Sequence, residues 1–128
     1  MWVKFFNRAR DPDASHLYDL IERSADLALT DLILTEILQG LRDEGRFQHI
    51  RSYLLDFPVF RARGLETFVQ AAQLYRRCRR FGATVRTTID CLIAAVAIEY
   101  ELELFHDDRD FEAIARHAPL VVYHAPQP

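Results

Sequence analysis

The residues best placed to do chemistry in this 128-residue chain are four carboxylates, Glu36, Asp90, Asp108 and Asp110. Asp90 opens a segment, Ile89 to Ile98, that is otherwise apolar on every side. A helix hydrophobic all round is a buried helix, and ten such residues are too few to span a bilayer. Asp107, Asp108 and Asp110 follow directly on the short apolar run Leu102 to Phe105. Burying a lone carboxylate is costly unless something compensates it. Each acid has an innocent reading: Asp90 as a first-turn carboxylate, Asp108 as an N-cap, Glu36 as a surface residue. Together they suggest more. Carboxylates brought close repel one another and raise one another's pKa, and a hard cation such as Mg²⁺ or Mn²⁺ removes that penalty by taking oxygen ligands. Such a site polarises a phosphate and acidifies water, which is the chemistry of phosphodiester hydrolysis.

Other chemistries find less support. His16, His49, His106, His117 and His124 are scattered without HExxH spacing, and only His106 lies beside the acids. There is no Walker loop, no GxGxxG and no GxSxG. Cys78 and Cys91 fall in expected helices without CxxC or disulfide-framework spacing, which reads as two reduced core thiols.

The elements that must position the acids follow from periodicity. A helix is expected from Asp13 to Arg23, then a short buried strand Leu27 to Leu29. Thr30 and Asp31 offer an N-cap for a helix over Leu32 to Leu41, with Leu34, Ile37, Leu38 and Leu41 inward and Glu36 bordering that stripe. A second amphipathic helix runs from about Arg46 to Asp56. Phe57 to Phe60 contains Pro58 and reads as an edge strand or an extended link. Leu65 to Arg80 is helical, with Leu65, Phe68, Val69, Ala72 and Tyr75 expected inward, and it ends near Gly82. The buried helix, the strand Leu102 to Phe105, a helix from about Arg109 to His117 and a last strand Leu120 to Tyr123 complete the chain. Short apolar strands separated by helices imply an α/β domain, a parallel sheet flanked by helices in three layers. Ligands of such sheets gather outside the carboxyl ends of the strands, where Glu36, Asp90 and Asp108 can converge.

Length and composition indicate one globular domain over 1–128, with half the residues hydrophobic and nine Gly or Pro. No apolar run reaches membrane-spanning length and no signal-peptide pattern opens the chain, so a cytoplasmic protein is expected. The net charge of −3 is unevenly spread. Seven arginines against Glu66 between Phe57 and Thr88 give +6 locally and leave −9 elsewhere. Two readings of Arg76, Arg77, Arg79 and Arg80 stand: a surface for a polyanion, or compensation of a helix dipole.

The segments TDLILTEILQGL, RTTIDCLIAAVA and LFHDDRDFEAIA, taken together, closely resemble the PIN-domain ribonucleases, and within them the VapC toxins of toxin–antitoxin pairs. The resemblance implies a PIN-like fold and a metal site for RNA cleavage with Mg²⁺ or Mn²⁺. It assigns the helix glutamate to Glu36 and the central aspartate to Asp90. The acid after the following strand is Asp108, with Asp110 as an accessory or alternative, and Thr88 matches a small hydroxyl residue of the motif. It also implies an RNA substrate, a VapB-like antitoxin and a homodimer. One departure stands out. The family opens with a strand and a motif like D-T-S-V-W, whereas this chain opens M-W-V-K-F-F, so the first strand and first aspartate are expected to be missing from it. Either the start is set too late or the chain is a genuine truncation that has lost activity; by itself the 128-residue chain is expected to be insoluble, loosely packed or inactive. Loss of that aspartate also admits an alternative, a non-catalytic module that binds RNA or an antitoxin without cutting.

Overall fold

The structure, a computed structural model, describes residues 27–83, 85, 88–104 and 109–122. The expected helix at Asp13 to Arg23 and the chain opening lie outside these residues. The described residues fall into two compact units, one ending at Phe60 and one beginning at Arg61.

The first unit is built as strand, helix, helix, strand. Strand β1 (Leu29–Thr30) pairs in parallel with β2 (Val59–Phe60), Leu29 opposite Val59 and Thr30 opposite Phe60. The Leu29 N–H donates to the Pro58 carbonyl at 2.9 Å, so the proline supplies an acceptor where it cannot supply a donor. Thr30 ends the strand and caps helix α1 (Asp31–Gln39), its Oγ1 accepting from the Ile33 N–H at 3.0 Å. Asp31 adds a carboxylate at the positive end of the same helix. Helix α2 (Glu44–Leu54) starts two residues before the expected point because Asp43 caps it, accepting from the Arg46 N–H at 2.7 Å. Among the described residues of this unit, Leu29, Ile37, Ile50 and Leu54 are the buried apolar ones.

The second unit is organised by three helices. These are α3 (Leu65–Arg80), α4 (Thr88–Glu99) and α5 (Arg109–His117). Strand β3 (Glu103–Leu104) pairs in parallel with β4 (Val121–Val122), the second short parallel pair among the described residues. Both pairs are parallel, as expected, and each strand is shorter than its apolar run. Phe105 and Tyr123 lie outside the described residues.

The buried face of α3 corrects the sequence expectation. Thr67, Ala71, Leu74 and Cys78 face inward, whereas Leu65 is 84 % exposed, Phe68 50 % and Val69 49 %. Ala72 is exposed as well and Tyr75 is half-buried. The reason lies in the partner. Helix α4 presents Cys91, Ala94, Ala95 and Ala97 to the core, and its small side chains let a second backbone come close only if that helix is small-faced too. The stripe of Thr67, Ala71, Leu74 and Cys78 carries one bulky side chain in four; a stripe of Leu65, Phe68 and Val69 would carry one at every position. Thr67 is buried without penalty because its hydroxyl donates to Glu99 Oε1 at 2.6 Å.

The ends of this helix pair are fixed individually. Glu99 also accepts from the Arg63 N–H at 3.1 Å, placing a carboxylate at the positive end of α3, where Gly64 offers no side-chain cap. Tyr100 donates to the Arg61 carbonyl at 2.8 Å and lies under the Arg63 guanidinium, 4.4 Å from the ring centroid. Helix α3 closes with Ala83 N–H bonded to the Cys78 carbonyl and Gly82 N–H to that of Arg79, with Gly82 at φ +80°. Helix α4 closes in the same way. Leu102 N–H reaches the Ala97 carbonyl and Glu101 N–H that of Ile98, but here the left-handed position, φ +56°, falls on Glu101. A left-handed non-glycine residue costs about 1–2 kcal/mol, and glycine returns roughly 0.5–1 of that as chain entropy. Glu101→Gly is therefore expected to stabilise the protein by about 0.5–1 kcal/mol. The check is a higher urea midpoint at an unchanged slope; a lower midpoint would contradict this reading of the turn.

Candidate functional site

Two of the candidate acids come together in the second unit. Asp90 lies in the first turn of α4 and is half-buried. Asp110 lies in the first turn of α5 and is only 4 % exposed. Each carboxylate thus sits at the positive end of a helix, and the two helices pack against each other. Cys91 reports how near they are. Its buried thiol is pushed up from the ordinary 9.0 to about 11, first by burial and then by the charges of Cys78, Asp90 and Asp110. Both carboxylates thus lie within electrostatic range of this thiol, as does Cys78 of α3.

Glu36 is exposed on α1, in the first unit, although periodicity put it at the border of the buried stripe. Asp108, Asp107 and His106 lie outside the described residues. Among the described residues, no three His, Cys, Asp or Glu side chains are close enough together to hold a metal. Asp90 and Asp110 nevertheless suit a hard cation. The thiol between them stays protonated at neutral pH, so the donors on offer are carboxylate oxygens, which favour Mg²⁺ or Mn²⁺ over softer metals.

Sequence reasoning missed a separate feature. A cleft of about 420 Å³ runs along the C-terminal half of α4, lined by Thr67, Leu74, Arg77, Ala95 and Glu99 among others. No motif announces it, because its lining combines α3, α4 and Pro119, which are far apart in sequence. The four clustered arginines are all exposed on the last turns of α3.

The PIN domain family model matches residues 1–117. A VapC ribonuclease of Mycobacterium bovis is 35 % identical over 116 residues, covering 90 % of this chain and 87 % of that protein. Ribonuclease VapC11 of Mycobacterium tuberculosis matches with the same identity and coverage. The chain belongs to the PIN-domain family, VapC type. As a PIN domain it has the expected α/β fold, with short parallel strands between helices. Among the described residues no helix is long and apolar enough to cross a membrane.

The carboxylate pair makes a prediction about its neighbouring thiol. A thiol whose pKa is raised in the folded state favours folding below the unfolded value near 9.0 and loses that contribution as pH rises towards 11. At pH 8, Cys91 should resist iodoacetamide in the native protein and react once the protein is unfolded in urea, as read by mass spectrometry. Prompt native-state alkylation at Cys91 would contradict its burial and its raised pKa.

Proposed function

We propose that this PIN domain is a divalent-metal-dependent endoribonuclease, the toxin of a VapBC-type pair, acting in the cytoplasm and held inactive by a VapB-like antitoxin. The observation that carries the reading is that Asp90 and Asp110 lie in the first turns of two helices that pack against each other. The VapC relatives support the choice of RNA as substrate. Asp90 and Asp110 would hold Mg²⁺ or Mn²⁺, and the family resemblance adds Glu36 and Asp108 to the ligand set, with the chain from 1 to 128 working as one domain. When bound, the metal supplies polarisation of a phosphodiester and a lowered pKa for water. The protein's own part is positional. The helix starts place Asp90 and Asp110 where the backbone favours an anion, and the burial of Asp110 limits the freedom of its carboxylate.

In this reading Asp110 is a principal ligand beside Asp90, and Asp108 supports it. Asp90→Asn and Asp110→Asn should each lower Mg²⁺- or Mn²⁺-dependent RNA cleavage by about a hundredfold or more, with the thermal transition retained. Cleavage that proceeds equally well in excess EDTA would overturn the metal mechanism. Metal binding without cleavage would favour the non-catalytic alternative.

The outward stripe of α3 supports a homodimer. Leu65, Phe68, Val69 and Ala72 recur at helical spacing on one exposed line. Two copies of α3 packed antiparallel would cover both stripes and set Glu66 of each against the arginine-bearing end of the other. Phe68→Glu should convert a species of twice 14.9 kDa into one of 14.9 kDa in light scattering. A wild-type protein that is monomeric at the same concentration would exclude this dimer.

A further inference from the structure

The C-terminal end of α3 holds a feature that the carboxylate chemistry leaves unused. Phe81, the C-cap residue, is 63 % exposed. Its ring nonetheless lies flat against the His117 imidazole, with centroids 4.8 Å apart and planes within 3°. Arg77 donates from Nη1 to the His117 carbonyl oxygen at 3.1 Å, tying the end of α5 to α3 beside the stack. The arginines around it divide by angle. At 100° per residue, Arg76 and Arg79 continue the line of Leu65, Phe68 and Ala72, whereas Arg77 and Arg80 lie nearer to Phe81. Dipole compensation at a helix end does not require four exposed arginines, and it does not explain a flat aromatic pair left open to solvent.

We infer that this end of α3 is a platform for single-stranded RNA, on which an unpaired base stacks against Phe81 while Arg77 and Arg80 hold the neighbouring phosphates. The inference rests on the ribonuclease reading and adds where the substrate is held. Position supports it. Phe81 follows directly on α3, and Asp90 opens the next helix, α4, which packs along α3. The platform and the two candidate acids belong to one compact unit. The ring pair decides between possible polyanions. An acidic peptide would need the guanidinium groups alone, whereas a base also offers a π-face to the exposed side of Phe81.

The test uses the full chain carrying Asp90→Asn, so that RNA is bound and not cut, and a fluorescein-labelled 12-nucleotide single strand read by anisotropy. Phe81→Ala should weaken binding roughly 5- to 150-fold, the range for loss of one stacked base. Phe81→Trp should keep the affinity and show indole quenching on RNA addition. Arg77→Gln with Arg80→Gln should reduce the slope of log affinity against log salt by about 1.4, two phosphate contacts at roughly 0.7 each. Binding unchanged in Phe81→Ala, or an equal loss for a fully paired duplex, would overturn the platform. So would RNA binding that survives both arginine changes while binding to polyglutamate is lost. The two readings fail separately. A wild-type protein that never cleaves RNA removes the ribonuclease reading and the platform with it. Wild-type cleavage with an unaffected Phe81→Ala variant removes the platform alone.

Discussion

The close approach of α3 to α4 is the constraint on which the second unit depends. Alanine and cysteine on α4 leave room for a backbone and little else, so α3 must present Thr67, Ala71, Leu74 and Cys78. Three consequences follow from that one choice of face. Cys78 is brought within electrostatic range of the Cys91 thiol, as Asp90 and Asp110 are. The larger residues Leu65, Phe68 and Val69 are turned to solvent. The C-terminal turn of α3 is left where Phe81 can stack on His117. A polar contact fixes the register at the far end, since Glu99 binds the one buried hydroxyl on the seam as well as the backbone just before α3.

The carboxylates exploit a second regularity. Asp90 and Asp110 both lie in first turns, where the helix favours negative charge. Burial is the main cause of the raised Cys91 pKa, and the charges of Cys78, Asp90 and Asp110 add to it in that order. A hard cation takes carboxylate oxygens as its ligands.

Much of this was legible in the residues, and the failures are instructive. Thr30 was readable as a cap because its hydroxyl acts within three residues. The span of α3 was equally plain, yet its buried face was misread. The helix carries two stripes of helical spacing, a bulky one at Leu65, Phe68 and Val69 and a small one at Thr67, Ala71 and Cys78. Hydrophobicity alone selects the bulky stripe; only the alanine surface of the partner helix selects the small one. Asp43 went unrecognised as the α2 cap because Gly45 drew attention to the break and away from its donor pattern. Asp90 stood out as a charge in an apolar segment. The burial of Asp110, by contrast, depends on how α5 crosses the other two helices, and no local pattern encodes a crossing.

The central claim is that Asp90 and Asp110 share a divalent cation at the starts of α4 and α5. Manganese titration followed by amide NMR addresses it without reference to activity. The account predicts paramagnetic broadening centred on the residues around Asp90 and Asp110, reduced by Asp90→Asn and again by Asp110→Asn. Uniform broadening, or broadening centred away from these two turns and unchanged by either substitution, would contradict it.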